Sequence, residues 1–242
     1  MKKILTGALV ALAFVGSVFA LDMKVDAGIS FPISTFSTTS TITVGDYSKT
    51  IKTSSTRNDF GLYVGADYFL TDLIGVGLDL NFGFPIQVTT TTEGKSATTK
   101  YGTTENGVKN TAFEFNGLLG CAIRPLNTKK MFLIFTPGLS LDVLSVSASS
   151  SSGGISYSGT STYTYFGLGA GAQFGYKITN KLAISAEMLF AWHFAASGKW
   201  NSTYTISYAG YSDSNSNSGT YDSDKIGKPF IFTPKIGISY VF

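Results

Sequence analysis

Apolar and polar residues alternate with a period of two along most of this chain. That spacing places successive side chains on opposite faces of a β-strand. It is clearest over residues 229–242, where Phe230, Phe232, Ile236, Ile238, Tyr240 and Phe242 form one wholly apolar face. The same alternation predicts eight strands, at 22–36, 59–70, 73–86, 111–124, 131–146, 163–178, 182–194 and 229–242. Each reaches the roughly 9–11 residues that a tilted strand needs to cross a bilayer.

The connections fall into two kinds that strictly alternate. Residues 37–58, 87–110, 147–162 and 195–228 are long and rich in Ser, Thr, Gly and Asn, whereas 71–72, 125–130 and 179–181 are short turns. All the long loops therefore leave the sheet at one end. Within them Gly45-Asp46, Glu93-Gly94 and Gly153-Gly154 sit between runs bearing Thr, Tyr or Ile. This predicts tight hairpin turns, with strands continuing beyond the eight-strand wall. Pro137 falls in the middle of a predicted strand, where the missing N–H predicts a bulge.

The two faces differ sharply in chemistry. One set, which includes Val25, Leu62, Leu78, Leu119, Phe135, Leu168, Ile184 and Trp192, carries no charge. The opposite set holds Lys24, Asp26, Asp67, Asp79, Glu114, Arg124, Asp142, Lys177, Glu187, His193 and Lys235. A barrel in lipid turns apolar residues outward and polar residues inward. The fold class expected is therefore all-β, a transmembrane antiparallel eight-stranded up-and-down β-barrel. Those eleven residues form its candidate polar network in the lumen, and buried charges there must pair.

The N-terminal end is consistent with export. Lys2 and Lys3 precede an apolar run, residues 4–15, that passes into small and β-branched residues up to Ala20. Residues 1–20 read as a cleaved secretory signal, and 21–242 as a single barrel domain with four long extracellular loops. The formal charge falls from +3 to +1 once Lys2 and Lys3 are removed, which leaves no basis for a nucleic-acid partner. Cys121 is the only cysteine, so no internal disulfide forms. One His and one Cys do not make a typical transition-metal site, and no cofactor is indicated. A Ser/His/acid set drawn from Ser197, His193 and Glu187 has no motif to fix it, and six strand residues put Glu187 roughly 20 Å from His193. No catalytic residue is assigned.

The last strand resembles the closing strand of bacterial outer-membrane β-barrels, which ends on Phe with aromatic or aliphatic residues at every second position before it. The resemblance makes Ile238, Tyr240 and Phe242 an assembly signal. It implies outer-membrane lipid and the barrel-assembly machinery as partners. Residues 165–187, with alternate glycines and the Thr179-Asn180-Lys181 turn, resemble the recurrent hairpin of the OmpA, OmpX and OmpW-like small barrel families. That likeness implies a bacterial outer-membrane location, extracellular long loops and periplasmic termini.

Three functional classes remain open: a structural or surface-interaction barrel, a small-solute conduit or pocket, and a soluble barrel of lipocalin type. An eight-stranded barrel is just filled by its side chains. The inward glycines leave volume that Tyr63, Phe69, Arg124, Leu189 and His193 are placed to occupy, or that a small apolar solute occupies in an OmpW-like barrel. In the loops Tyr157, Trp200, Tyr204, Tyr208 and Tyr211 are candidate contacts for a host or surface ligand. The competing reading makes such rings an interfacial aromatic girdle.

Overall fold

The computed structural model describes residues 22–44, 47–208 and 211–242. The signal segment and the Gly45-Asp46 turn read from the sequence lie outside the described residues. Twelve strands follow one another: β1 (Met23–Ser30), β2 (Ile33–Val44), β3 (Tyr47–Phe69), β4 (Ile74–Thr92), β5 (Lys95–Lys100), β6 (Thr104–Glu105), β7 (Val108–Asn127), β8 (Met131–Ser152), β9 (Ile155–Lys177), β10 (Leu182–Tyr208), β11 (Tyr211–Tyr221) and β12 (Phe230–Val241). A 3-10 turn, Ser223–Lys225, precedes the last strand.

Antiparallel pairing runs through β1, β3, β4, β7, β8, β9, β10 and β12, and then returns from β12 to β1. This is a closed ring of eight, so the barrel proper has no open edge. The first predicted strand is divided at Phe31-Pro32 into β1 and β2. There Phe31 N–H donates to Pro234 O at 3.0 Å and Asp59 N–H donates to Pro32 O at 2.9 Å, so the break is bonded on both sides.

Alternation maps onto the two sides of this ring as read from the sequence. Leu78, Phe135 and Ile238 are 42 %, 42 % and 57 % exposed on the outside, while Asp79 and Lys235 are 7 % and 4 % exposed within. Cys121 is also on the outer side. The outer apolar band ends at the long-loop end in a ring of phenylalanines, Phe31, Phe60, Phe84, Phe113, Phe166, Phe194 and Phe230, all exposed. Neighbours touch edge to face, with Phe31–Phe60 centroids 5.8 Å apart and Phe84–Phe113 5.9 Å apart. Beyond the ring the outward residues become Thr111 and Thr164 at the next outward position, and Thr35, Thr56 and Thr89 after Ile33, Asn58 and Ile86.

Inward glycines accommodate large side chains from the neighbouring strands. A Cβ on Gly237 would lie 2.5 Å from the Tyr63 hydroxyl, and one on Gly28 would lie 2.8 Å from the Tyr63 ring. Phe132 covers Gly175 in the same way. Tyr63, Phe69, Leu189 and His193 are buried as expected, and Phe132, Leu118 and Ile134 join them.

Pro137 produces no bulge. The register is the same on both sides of it, Gly120 opposite Gly138 and Ile123 opposite Phe135, because the residue count between these pairs is equal on both strands. The register shifts lie elsewhere, between Asn58 and Asp59, between His193 and Ala195, and between Ile123 and Leu126. The last of these contains Pro125, which the sequence reading placed in a turn; β7 instead continues to Asn127.

Beyond the phenylalanine ring the long loops are sheet. Glu93-Gly94, Asn106-Gly107 and Gly153-Gly154 turn three hairpins with two successive positive φ angles each, 49° and 78°, 50° and 77°, 57° and 80°. Paired positive φ values match the twist of a two-residue hairpin. Asn106-Gly107 was not singled out in the sequence, although Asn-Gly is a strong signal for such a turn. β4 pairs β7 only over Ile74–Gly83 and pairs β5 above that, while β12 meets β2 only over Phe230–Phe232. Among the described residues no ladder joins β2 to β11 or β5 to β6. The wall thus parts into two blades: β2, β3, β4 and β5 in one, and β6 through β11 in the other.

Filling Gly237 is expected to damage the barrel. A Val side chain there collides with Ala27 O and Tyr63, and the expected loss is about 1–3 kcal/mol, read as a lowered urea midpoint for Gly237→Val in detergent. The outward Ile238→Leu change next to it is expected to leave the midpoint unchanged.

Candidate functional site

The lumen is stacked in layers. At the short-turn end Arg124 Nη1 donates to Asp22 Oδ1 at 2.9 Å, Nη2 bonds Oδ2, and the guanidinium lies 3.9 Å from the Phe69 ring centroid. Lys177 reaches the neighbouring turn, donating to Asn127 Oδ1 at 2.8 Å and Thr128 O at 2.9 Å. Neither residue neutralises the interior carboxylates, contrary to the sequence reading. Each is close to the end of its strand, and its long side chain reaches the turn residues first.

Above an apolar cluster that includes Phe132 and Ile134 lies the central ionic layer. Lys24 pairs with Asp26, with Asp67 at 2.8 Å and with Gln173. Lys235 pairs with Asp79 at 2.6 Å and Glu187 at 3.4 Å. Both ammonium groups also lie against rings, Lys24 5.5 Å from the Phe132 centroid and Lys235 5.1 Å from that of Tyr63. Asp26, Asp79 and Glu187 each bring a carboxylate oxygen within 4.8 Å of the others. This spacing would suit a cation, but the Lys24 and Lys235 ammonium groups already bond these carboxylates. The open space in this layer is about 20 Å³, room for a water molecule and no more.

A second apolar cluster, Leu118, Leu189, Ala191 and Ile231, lies among the buried residues of the lumen. At the long-loop end Arg57 forms a further ionic group. Its Nε donates to both Asp59 oxygens at 3.0 and 3.1 Å, and its Nη2 donates to Ser34 Oγ at 3.1 Å and to Glu114. Arg57 escaped the sequence-derived site because it was placed in the first long loop, and Asp59, the first residue of the predicted strand 59–70, was missed beside it. The signal was present, since Arg57, Asp59, Gly61 and Tyr63 continue one inward period of β3. Asp142 is fully buried near Arg57 and Glu114, and among the described residues no cation forms a salt bridge with it. The expectation that every inward charge pairs therefore fails at this residue.

His193 is buried against Pro229 O, 3.0 Å from Nδ1, and Ser140 Oγ, 3.3 Å from Nε2. A carbonyl only accepts, so the proton is on Nδ1 and Ser140 donates to Nε2. Ser197 falls on the exposed outer side beyond the register shift, and Glu187 is bonded to Lys235. The structure does not bring Ser197, His193 and Glu187 together.

Above Arg57 the lumen opens between the blades into a cup of about 500 Å³. Its wall includes Phe36, Tyr101, Leu144, Tyr163, Tyr165 and Tyr221, with Arg57 also lining it. Tyr221 stacks on Tyr163 at 5.3 Å, Tyr163 stacks on Tyr165 at 6.3 Å, and Tyr165 meets His193 at 6.0 Å. Burial and the neighbouring Tyr221 hydroxyl push the Tyr163 phenol up to about 12, so this ring is neutral at neutral pH. Of the predicted contact residues, Tyr157 pairs with Tyr204 and Tyr208 with Tyr211. Trp200 lies four residues before Tyr204, on the same face.

A sealed lumen inside an outward apolar band, with an open cup at one end, defines a small barrel of the outer-membrane type. No protein-family model matches the chain, and no curated protein matches it. Among solved structures it resembles the outer membrane protein OprG from Pseudomonas aeruginosa, at 13 % identity over 92 % of this chain and 96 % of that one, with a TM-score of 0.55. It also resembles a major outer membrane protein from Thermus thermophilus, at 14 % identity over 89 % of this chain and 99 % of that one, with a TM-score of 0.51. Identities this low carry the fold alone.

Removing Lys235 strands two buried carboxylates. Lys235→Met is expected to cost about 3–5 kcal/mol of unfolding free energy. The triple change Lys235→Met, Asp79→Asn, Glu187→Gln is expected to recover most of it, measured by urea unfolding in lipid vesicles.

Proposed function

We propose that this chain is an integral protein of a bacterial outer membrane, with the two blades facing the exterior and both termini in the periplasm, and that it acts by surface interaction and not by conduction. The observation that carries this reading is the contrast along the axis. The central layer is occupied by Lys24, Lys235 and four carboxylates with about 20 Å³ to spare, whereas the cup above holds about 500 Å³. A solute entering from the blade end meets a closed floor. What remains available for contact is the cup and the blades. The cup favours a second, narrower reading, a pocket for a small solute with no passage through the barrel.

The partners follow from the same arrangement. Outer-membrane lipid covers the band bounded by the phenylalanine ring, where each strand has an antiparallel partner on both sides. Ile238, Tyr240 and Phe242, exposed on the outside of the closing strand, are read as the contacts for the barrel-assembly machinery, after removal of a signal at 1–20.

Two measurements test this. Refolded protein in planar bilayers is expected to give no unit conductance; steady single-channel steps would overturn the closed-lumen reading. Cells displaying a variant in which the β10–β11 hairpin is shortened to a tight turn are expected to lose adherence to host cells or matrix relative to the parent, and equal adherence would count against surface interaction through the blades.

A further inference from the structure

The rim aromatics are not scattered. Cross-strand partners share a face, and so do residues two apart along a strand. β9 has no register shift between Ile155 and Tyr165, so Tyr157 is on the same face as Tyr163, which lines the cup. Tyr204 is opposite Tyr157, Gly198 is opposite both Tyr163 and Tyr221, and Tyr208 is opposite Tyr211. All five predicted contact residues therefore lie on the inner face of the larger blade. The outer face carries Thr160, Asn201, Thr203, Ser216 and Ser218 instead. A lipid-facing girdle would require rings on the outer face, so that reading is overturned for these residues.

The inner face is nevertheless in water, because the blades splay apart. Tyr157, Tyr204, Tyr211 and Tyr208 are 44 %, 42 %, 69 % and 81 % exposed. Between the rings are Ser161, Ser202, Asn215 and Asn217, and across β9, β10 and β11 the one charge on this face is Asp213. Such a surface suits a ligand that is amphipathic but uncharged. A cationic ligand finds only Asp213 here, and an anionic ligand finds no counter-charge on this face. An extended peptide would instead use an open strand edge, whose bonds come from the main chain.

We propose that the inner face of the larger blade, continuous with the cup, binds an uncharged carbohydrate chain. A sugar ring has an apolar C–H face that packs on Tyr or Trp, and a rim of hydroxyls that bond Ser and Asn. The stacked Tyr221, Tyr163 and Tyr165 extend this surface downward, so one end of the chain enters the cup. This rests on the surface-interaction reading and names its ligand class.

The test uses full-length barrel in nanodiscs with Trp192→Phe, which leaves Trp200 as the reporter. It is titrated with the hexasaccharides of glucose in β-1,4 and α-1,4 linkage and of N-acetylglucosamine, with a sulfated hexasaccharide and spermidine for comparison. At least one neutral hexasaccharide is expected to shift Trp200 emission. Tyr204→Ala and Tyr157→Ala are each expected to weaken binding by about tenfold, while Thr203→Ala on the outer face stays within about twofold. All three variants are checked for the parent urea midpoint. Failure of every neutral hexasaccharide, tighter binding of the sulfated or cationic probe, or indifference to both tyrosine changes would overturn the proposal. Cell adherence separates the two claims: adherence that depends on the hairpin without neutral-sugar binding overturns only the carbohydrate assignment, and loss of both overturns the surface reading as well.

Discussion

A polypeptide surrounded by hydrocarbon must satisfy its backbone within itself and keep its charges away from lipid. Here the ring from β1 to β12 and back meets the first requirement, and it directs every second residue into a lumen that side chains fill. The second requirement then acts inside that space. Lys24, Lys235 and Arg57 sit among more carboxylates than they can match one for one, and each takes two or more partners. Two apolar clusters lie among these groups, with aromatic rings over glycine backbones filling the volume that remains. Closure of the lumen is thus a consequence of how the charges are neutralised.

Much of this was legible because a period of two is a strong signal when one face is held in lipid. The eight walls, the outward apolar set and most of the inward charges, from Lys24 and Asp26 to Glu187 and Lys235, were read correctly from alternation. What escaped lay where alternation stops being informative. Arg57 continues a strand beyond the outward Phe60, where the outward residues are Asn58, Thr56 and Ser54, so this part of the strand looked like loop, and Asp59, the first residue of the predicted strand, was passed over with it. Arg124 and Lys177 have the right parity, but long side chains near strand ends choose partners by reach, which no pattern of spacing reveals. Pro137 loses a donor without adding a residue, and register responds only to the number of residues.

The change from phenylalanine to threonine on the outer face marks the limit of the apolar band. Beyond it the logic of the two faces reverses. Inside the band large apolar groups point outward; in the blades the rings point inward and hydroxyls cover the outside. The same Tyr-rich segments that read as a protruding contact rim are therefore the lining of a cleft, open at the top and sealed below by Arg57 and the layers under it. Parity identified the rings, but only the strand pairing showed which side of the sheet they occupy.

The central claim is that lipid solvates the outer face. It is tested most directly by a nitroxide scan along β12 in vesicles, in a Cys121→Ala background, with oxygen and a water-soluble nickel chelate as competing relaxants. Oxygen collision is expected to peak at positions 236, 238 and 240, with minima for both relaxants at 235 and 239. Peaks for the nickel chelate at 236, 238 and 240, or the loss of any period of two, would contradict the account.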